Sequence, residues 1–515
     1  MGMNPRASAP GKATKPKGRF VARMIESHSI LGLAFAALIY VVSLTGAFTI
    51  FVDEIALWEN ADAPTAGEVS AEVYETALTN AYAQRIEGGE VHNLLTYGPT
   101  GFAPVLLTRI NEETADHQFH QTNWITDPQT GELLGELDQP LAHVIEELHV
   151  ALHLPAPWGR YLVGLLGVCM FSLIISGILA HPSIFKDAFK LRLDRNRRMA
   201  WTDMHNRLSV WGLPFHLVLT FTGGFLGLAG IVVGAVALLA YDGDQDAALA
   251  SIQGPQPIEG VATGQLPPIA SMVRQARSQG EGIGIVLIGQ PGDSGGVTQI
   301  GVEDPSILDG RQSLIFRNTG EFLEPYGGAG APGGIRALAM LQPLHYGTFG
   351  GYPVKLLYFV MALALTWVTS SGMRIWFARR SQQGRPVPRI EAAWHGMTHG
   401  LTLALAAATL LAALGAGAAV LPAVLVVWIA MLALSIIRRD HRAADRRRLL
   451  FAAAALLAVA VVANLAGPNS YHAIILGVNA LVLAIAAGLA AIAIRQGGAH
   501  RTVTGGFDPA PQPAE

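Results

Sequence analysis

Residues 201–227 read WTDMHNRLSVWGLPFHLVLTFTGGFLG, and the rest of the chain can be placed around this stretch. It opens on charged residues and His205, runs into an apolar helix, and carries a second histidine, His216, inside the apolar part. A histidine at hydrocarbon depth is costly and normally faces a bundle interior, which makes it a functional candidate. On a straight α-helix the spacing of His205 and His216 puts them within roughly 20° of one face and about 16 Å apart. The first apolar stretch repeats part of this layout. His28 opens HSILGLAFAALIYVVSLTGAF, and Thr45-Gly46 lies as far beyond His28 as Thr222-Gly223 lies beyond His205. An internal repeat therefore sets histidines in register in two apolar segments.

The 515 residues are 51% hydrophobic and only 14% charged, with a mean hydropathy of +0.37. A soluble chain carries about 25% charged residues, so this composition belongs to a membrane protein. The net charge of −3 says little, because the two signs are sorted by segment. The single cysteine, Cys169, lies in an apolar run, which excludes disulfides within the chain and a Cys-x-x-Cys-His haem attachment. A basic N-terminus ahead of an apolar run suggests a signal peptide. The run from about Ile30 to Val52 is too long for that and lacks a small-residue cleavage pattern, so it reads as a retained first membrane helix.

Segments long enough to cross a roughly 30 Å hydrocarbon core fall at 28–52, 158–181, 209–240, 353–377, 398–418, 421–437, 449–466 and 472–494. The basic residues mark orientation. Lys12, Lys15, Lys17, Arg19 and Arg23 lie in segment 1–27, and Lys186, Lys190, Arg192, Arg195, Arg197 and Arg198 lie in the 182–208 linker. Arg379, Arg380, Arg385 and Arg389 lie in the 378–397 linker, and RRDHRAADRRR separates the sixth and seventh segments. All fall on one side, so both termini, including the 495–515 tail, are expected in the cytoplasm. The long loops 53–157 and 241–352 then face outward. The spans read as lacking Asp, Glu and Lys, which counts against a transporter.

Each outward loop reads as a small α+β unit. The first holds EVSAEVYETALTNAYAQRI as a helix, VHNLLTY and APVLLTRI as strands, and NWITDPQTGELLGEL as a hairpin around an Asp-Pro-x-Thr-Gly turn. The second repeats this with LPPIASMVRQARSQ, GIGIVLIG, VTQIGVE and SLIFRNTGEFLEP. The fold class expected is an all-α polytopic membrane bundle of about eight transmembrane helices with two small extracytoplasmic α+β domains. The unit helix–outward domain–helix occurs twice, and residues 398–494 form an appended four-helix bundle.

The outward segments resemble PepSY domains. Leu148-His149 and Leu344-His345 before helices 2 and 4, Ser-Gly at 176–177 and 371–372, and Thr-Gly in helices 1 and 3 resemble the PepSY-associated transmembrane family over about residues 20–380. That resemblance implies a bacterial inner-membrane protein of iron uptake. It also implies haem b, as two groups in an iron-uptake reductase acting on ferric siderophores at the periplasmic face. The last four helices lie outside the family's minimal core.

Haem b needs neutral imidazoles on its axial positions and an apolar slot, without covalent attachment. His28 with His205 or His216 is the expected inner haem pair, and His149 with His345 the outer pair. His153 is the alternative to His149, and His181, ahead of Pro182, is a helix-end residue as readily as a ligand. Each of these histidines taken singly is as well explained as a solvated interfacial residue; the repeat is what singles out His28, His205, His149 and His345. His395 and His399, one turn apart, suit a further site less well than a plain helix surface. His92, His117, His120 and His143 read as outward surface residues, with His117 and His120 placed for a loose metal contact. Gly328-x-Gly330-x-x-Gly333 spells a dinucleotide pattern, but with Pro332 and no following amphipathic helix it reads as a flexible loop. Electrons are therefore expected from quinol or a partner reductase. The expected partners are the lipid bilayer and a ferric siderophore or other ferric chelate, with no nucleic acid. The alternative function is a PepSY module that binds or regulates an extracytoplasmic partner such as a peptidase, without redox activity.

Overall fold

The computed structural model describes residues 16–181, 183–189, 197–279, 282–303, 308, 311–328, 331–438, 442–467 and 472–504. Lys12, Lys15, Pro182, Lys190, Arg192, Arg195, Gly330, residues 439–441 of the basic run and the tail beyond 504 lie outside the described residues. The chain opens with α1 (Pro16–Thr49), α2 (Val52–Glu59) and α3 (Ala71–Ala83), then strands β1 (Glu90–Tyr97), β2 (Leu106–Glu113), β3 (Phe119–Thr126) and β4 (Leu133–Glu136). Helices α4 (Pro140–Val150), α5 (Trp158–Ala180), α6 (Ile184–Asp187), α7 (Arg197–Trp211), α8 (Leu213–Gly227) and α9 (Ala229–Ala240) follow. After α10 (Gln245–Gln253) and α11 (Ile269–Arg277) come β5 (Gly282–Gly289), β6 (Val297–Glu303), β7 (Arg311–Arg317) and β8 (Phe322–Gly327). The rest is helical: α12 (Gly333–Tyr346), α13 (Gly351–Gln382), α14 (Pro388–Ala413), α15 (Val420–Ile437), α16 (Arg442–Leu465) and α17 (Ala473–Thr504).

Among the described residues seven helices are long and apolar enough to cross a membrane, and the bent pair α7–α8 makes an eighth span if taken as one. The third span differs from the stretch 209–240 read from the sequence. Gly212 and Pro214 interrupt it, because proline cannot donate to the preceding turn, and α7 meets α8 at 71°. The face-sharing expected of His205 and His216 assumed a straight helix and fails at this bend.

The two α+β units of segments 53–157 and 241–352 are not separate. Their eight strands form one antiparallel sheet in the order β4-β3-β2-β1-β5-β6-β7-β8. Asn93, Leu95 and Tyr97 of β1 pair with Gly289, Leu287 and Ile285 of β5. Left apart, β1 and β5 would each present an edge of unpaired N–H and C=O groups; joining them removes both edges. Leu94, Leu106 and Ile110 share one core with Val286, Ile288, Ile300, Leu314 and Phe316, in contact with residues of α3 and α11. Local pattern places the strands correctly, but this pairing links residues nearly two hundred positions apart.

Two further features depart from the sequence reading. The loops contain amphipathic helices just before spans: α4 repeats its apolar positions at Leu141, Val144, Ile145 and Leu148, and α12 begins at Gly333, where no helix was expected. The fourth span also carries a lysine. Lys355 Nζ donates to Glu54 Oε1 and Oε2 at 2.7 and 2.9 Å, and both residues are 1% exposed. The Lys355 cation also sits 3.9 Å from the centre of the Phe102 ring. A charge at this depth persists because it is paired and bonded.

Candidate functional site

Four histidines converge in two pairs, each joining the two copies of the repeat. The ring centres of His28 on α1 and His205 on α7 lie 6.5 Å apart with planes at 88°. Those of His149 on α4 and His345 on α12 lie 6.1 Å apart with planes at 20°. His28 and Gly46, the residue backing His149, stand eighteen positions apart on α1, roughly 27 Å of helix rise, so the pairs sit near opposite ends of the bundle.

Every one of the four rings is held from behind. His28 Nδ1–H donates to the Leu173 carbonyl at 3.0 Å and the Ser176 hydroxyl at 3.3 Å, and His205 Nδ1–H donates to the Val368 carbonyl at 3.1 Å and the Ser371 hydroxyl at 2.9 Å. These are equivalent positions of the two copies. Both hydroxyls give their own hydrogens to carbonyls three residues back, which leaves them as acceptors. His149 Nδ1–H donates to the Val42 carbonyl at 2.9 Å, and His345 Nδ1 lies 3.0 Å from Thr222 Oγ1. A carbonyl accepts only, so it fixes the proton on Nδ1 and leaves the Nε2 lone pair for a ligand.

The glycines of the Ser-Gly and Thr-Gly dipeptides make room for the rings. A Cβ on Gly46 would stand 2.6 Å from His149 Cε1, and one on Gly223 would stand 2.7 Å from His345 Cε1. At Gly177 and Gly372 the same atoms of His28 and His205 would be 3.3 and 3.6 Å away. Sequence reading found these dipeptides but not their role. The helix crossings that press them against the rings appear only in three dimensions.

The other histidines stand apart from the pairs. His216 is 2% exposed on α8, its Nε2 is 3.2 Å from the Met361 carbonyl, and its ring neighbour is Phe215. His153 follows α4 in a turn of positive φ, with its ring 6.3 Å from that of His143. His153 Nε2 is buried without a partner among the described residues, and burial pushes this imidazole below its ordinary range. His181 caps the end of α5 beside Ser183. His117 and His92 both contact the Glu113 carboxylate, at 2.6 and 3.0 Å, while His120 pairs in register with Glu112. His395 and His399 line a cavity of about 10 Å³ with Arg438 and Asp445, room for about one water. Among the described residues no three His, Cys, Asp or Glu side chains converge as a bare-ion site.

The sequence profile of the PepSY-associated TM region matches residues 25–379, more than half of the chain. The chain belongs to the PepSY-associated TM family. It is a multi-pass membrane protein, and both histidine pairs fall inside the family region, while α14 to α17 lie beyond it. An uncharacterised protein of Pseudomonas aeruginosa is 28% identical over 259 residues, 47% of this chain. The match covers 64% of that relative, less than two thirds of its length.

Proposed function

We propose that this family member is a haem-b membrane oxidoreductase carrying electrons from the cytoplasmic side to ferric iron held by a siderophore on the outer side. The observation that carries this reading is the spacing of the two pairs. Two imidazoles on opposite sides of one metal need ring centres about 6 Å apart, given metal–nitrogen bonds of about 2 Å. The separations are 6.5 and 6.1 Å, with every Nδ1 already engaged. His28 with His205 would hold the inner haem and His149 with His345 the outer one. Haem b supplies one-electron transfer when bound.

The protein's part is to orient and to insulate. The Nδ1 contacts fix tautomer and ring direction, an outer-shell role that also raises ligand basicity. With two imidazoles at each site, His28 with His205 and His149 with His345, a bound haem would have no open position, which would suit electron transfer over binding of a small ligand. Orientation with the termini inside follows the basic flanks, among them Arg379, Arg380, Arg385 and Arg389 at the far end of α13 from the sheet. α4 and α12 connect the two edge strands of the sheet directly to spans, which supports a docking place for a bulky ferric chelate on the sheet side of the His149–His345 pair. There the ferric iron takes up one electron and leaves as ferrous iron; quinol or a partner reductase is the electron source.

Purified protein should show b-type absorption on reduction, with about two haems per chain. A colourless protein after expression with ample haem ends the reading. With dithionite-reduced protein, ferric siderophores should reoxidise the haems while a chelator traps ferrous iron. Rapid reoxidation by quinones, with none by any ferric complex, would show that the terminal acceptor is misassigned.

A further inference from the structure

The appended helices make a buried polar connection to α4, the helix that carries His149. Trp58 of α2 is 2% exposed, and its Nε1–H donates to Asn479 Oδ1 of α17 at 2.9 Å. Asn479 Nδ2 donates to Asn464 Oδ1 of α16 at 2.9 Å, and Asn464 Nδ2 returns to the Trp58 carbonyl at 3.1 Å. The ring of three bonds closes on itself among residues that are at most 8% exposed. Buried polar networks of this kind rigidify what they join, because any broken link leaves an unsatisfied group.

The next residue carries the connection onward. Glu59 accepts from the Leu141 and Ala142 N–H groups at 2.8 and 3.0 Å, and so caps the first turn of α4, whose own N-cap Gln139 gives no side-chain bond. Asn60 Nδ2 donates to the Asp138 carbonyl at 2.7 Å, just ahead of the same helix. Leu141, Ile145 and Leu148 of α4 share a core with Leu401, Val420, Val424 and Val478 of the appended helices. His149 lies in the last turn of α4. The second copy is built differently: α12, which carries His345, packs on α8 and on β8.

We infer that the appended bundle positions His149, through Asn464 and Asn479 to Trp58, and through Glu59 to α4, and that Asn479 and Glu59 are positioning residues for the outer site. The inference rests on the haem reading only for its spectroscopic half. Its test uses full-length protein in two variants, Asn479→Leu at the far link and Glu59→Leu at the near one, with Trp58→Phe as a milder break should either fail to fold. Hydrogen exchange should be about fivefold faster in the 138–150 peptide and unchanged in the 333–346 peptide, the size of a lost helix cap. In the loaded protein the outer haem's low-spin signal and midpoint potential should move while the inner haem's stay fixed. Unchanged α4 exchange in both variants, or equal movement of both haems, overturns the inference. A colourless wild type overturns the function proposed above, and the exchange measurement still decides the coupling.

Discussion

The imidazole of His149 faces that of His345 across 6.1 Å with the two planes only 20° from parallel. His28 and His205 stand at 88° across a similar gap. Parallel axial imidazoles interact with the same iron d orbital and split the pair strongly; perpendicular ones act on both orbitals alike. If the two pairs hold haem as proposed, low-temperature EPR of the oxidised protein should therefore show one rhombic and one highly anisotropic low-spin haem in equal amounts. Two rhombic signals would contradict the inner geometry.

Histidine removal should separate the sites. If the two pairs hold haem as proposed, His345→Ala is expected to lose the outer haem and keep the inner one, and His205→Ala the reverse, each at about half the wild-type haem content, since each haem would lose one of its two histidines. Pyridine haemochrome assay against protein mass decides this. Full haem content in His345→Ala would return His153 to consideration.

Gly46→Ala tests the bracing of the outer pair. The added Cβ would lie 2.6 Å from the His149 ring, so the ring must leave its position, and the outer haem should be lost or change spin state. Gly32→Ala on the same helix is the control. Its Cβ would meet Leu173 at 3.8 Å, an ordinary contact, and alanine is the better helix former by about 1 kcal/mol. A Gly46→Ala variant with an unaltered spectrum would remove the close approach from the account.

Lys355→Met strips the partner from a carboxylate that is 1% exposed, and should cost about 3–5 kcal/mol in detergent unfolding. Lys355→Met combined with Glu54→Leu should recover most of that loss, because the uncompensated charge goes too. Equal losses in the single and the double variant would show that shape, not charge, is at stake.

Stability should also fall as pH rises through the range of Glu59. Burial, outweighing the N–H groups of Ala142 and Leu141, lifts its carboxyl from 4.5 to about 7. A folded value above the unfolded one means the folded state holds the proton more tightly. The contribution is then full below about 4.5 and lost as pH passes about 7. Melting temperatures between pH 5 and 8 should decline, and Glu59→Gln should flatten that part of the slope. A variant with the wild-type slope assigns it to another group.

The sequence by itself determined the membrane class, most span positions, the strand segments and the repeat that marked His28, His205, His149 and His345. Hydropathy and residue period are local properties, legible over ten to twenty positions. Tertiary structure alone decided the joining of β1 to β5 and the bend that sets His216 apart from His205. It alone set Ser176, Ser371, Thr222 and Gly46 behind the imidazoles, and closed the path from Asn479 to α4. These rest on contacts between residues far apart in the chain, where no local period carries a signal. Lys355 stood in plain view in the fourth segment, yet only its partner Glu54, 301 positions away, explains how the charge is borne there.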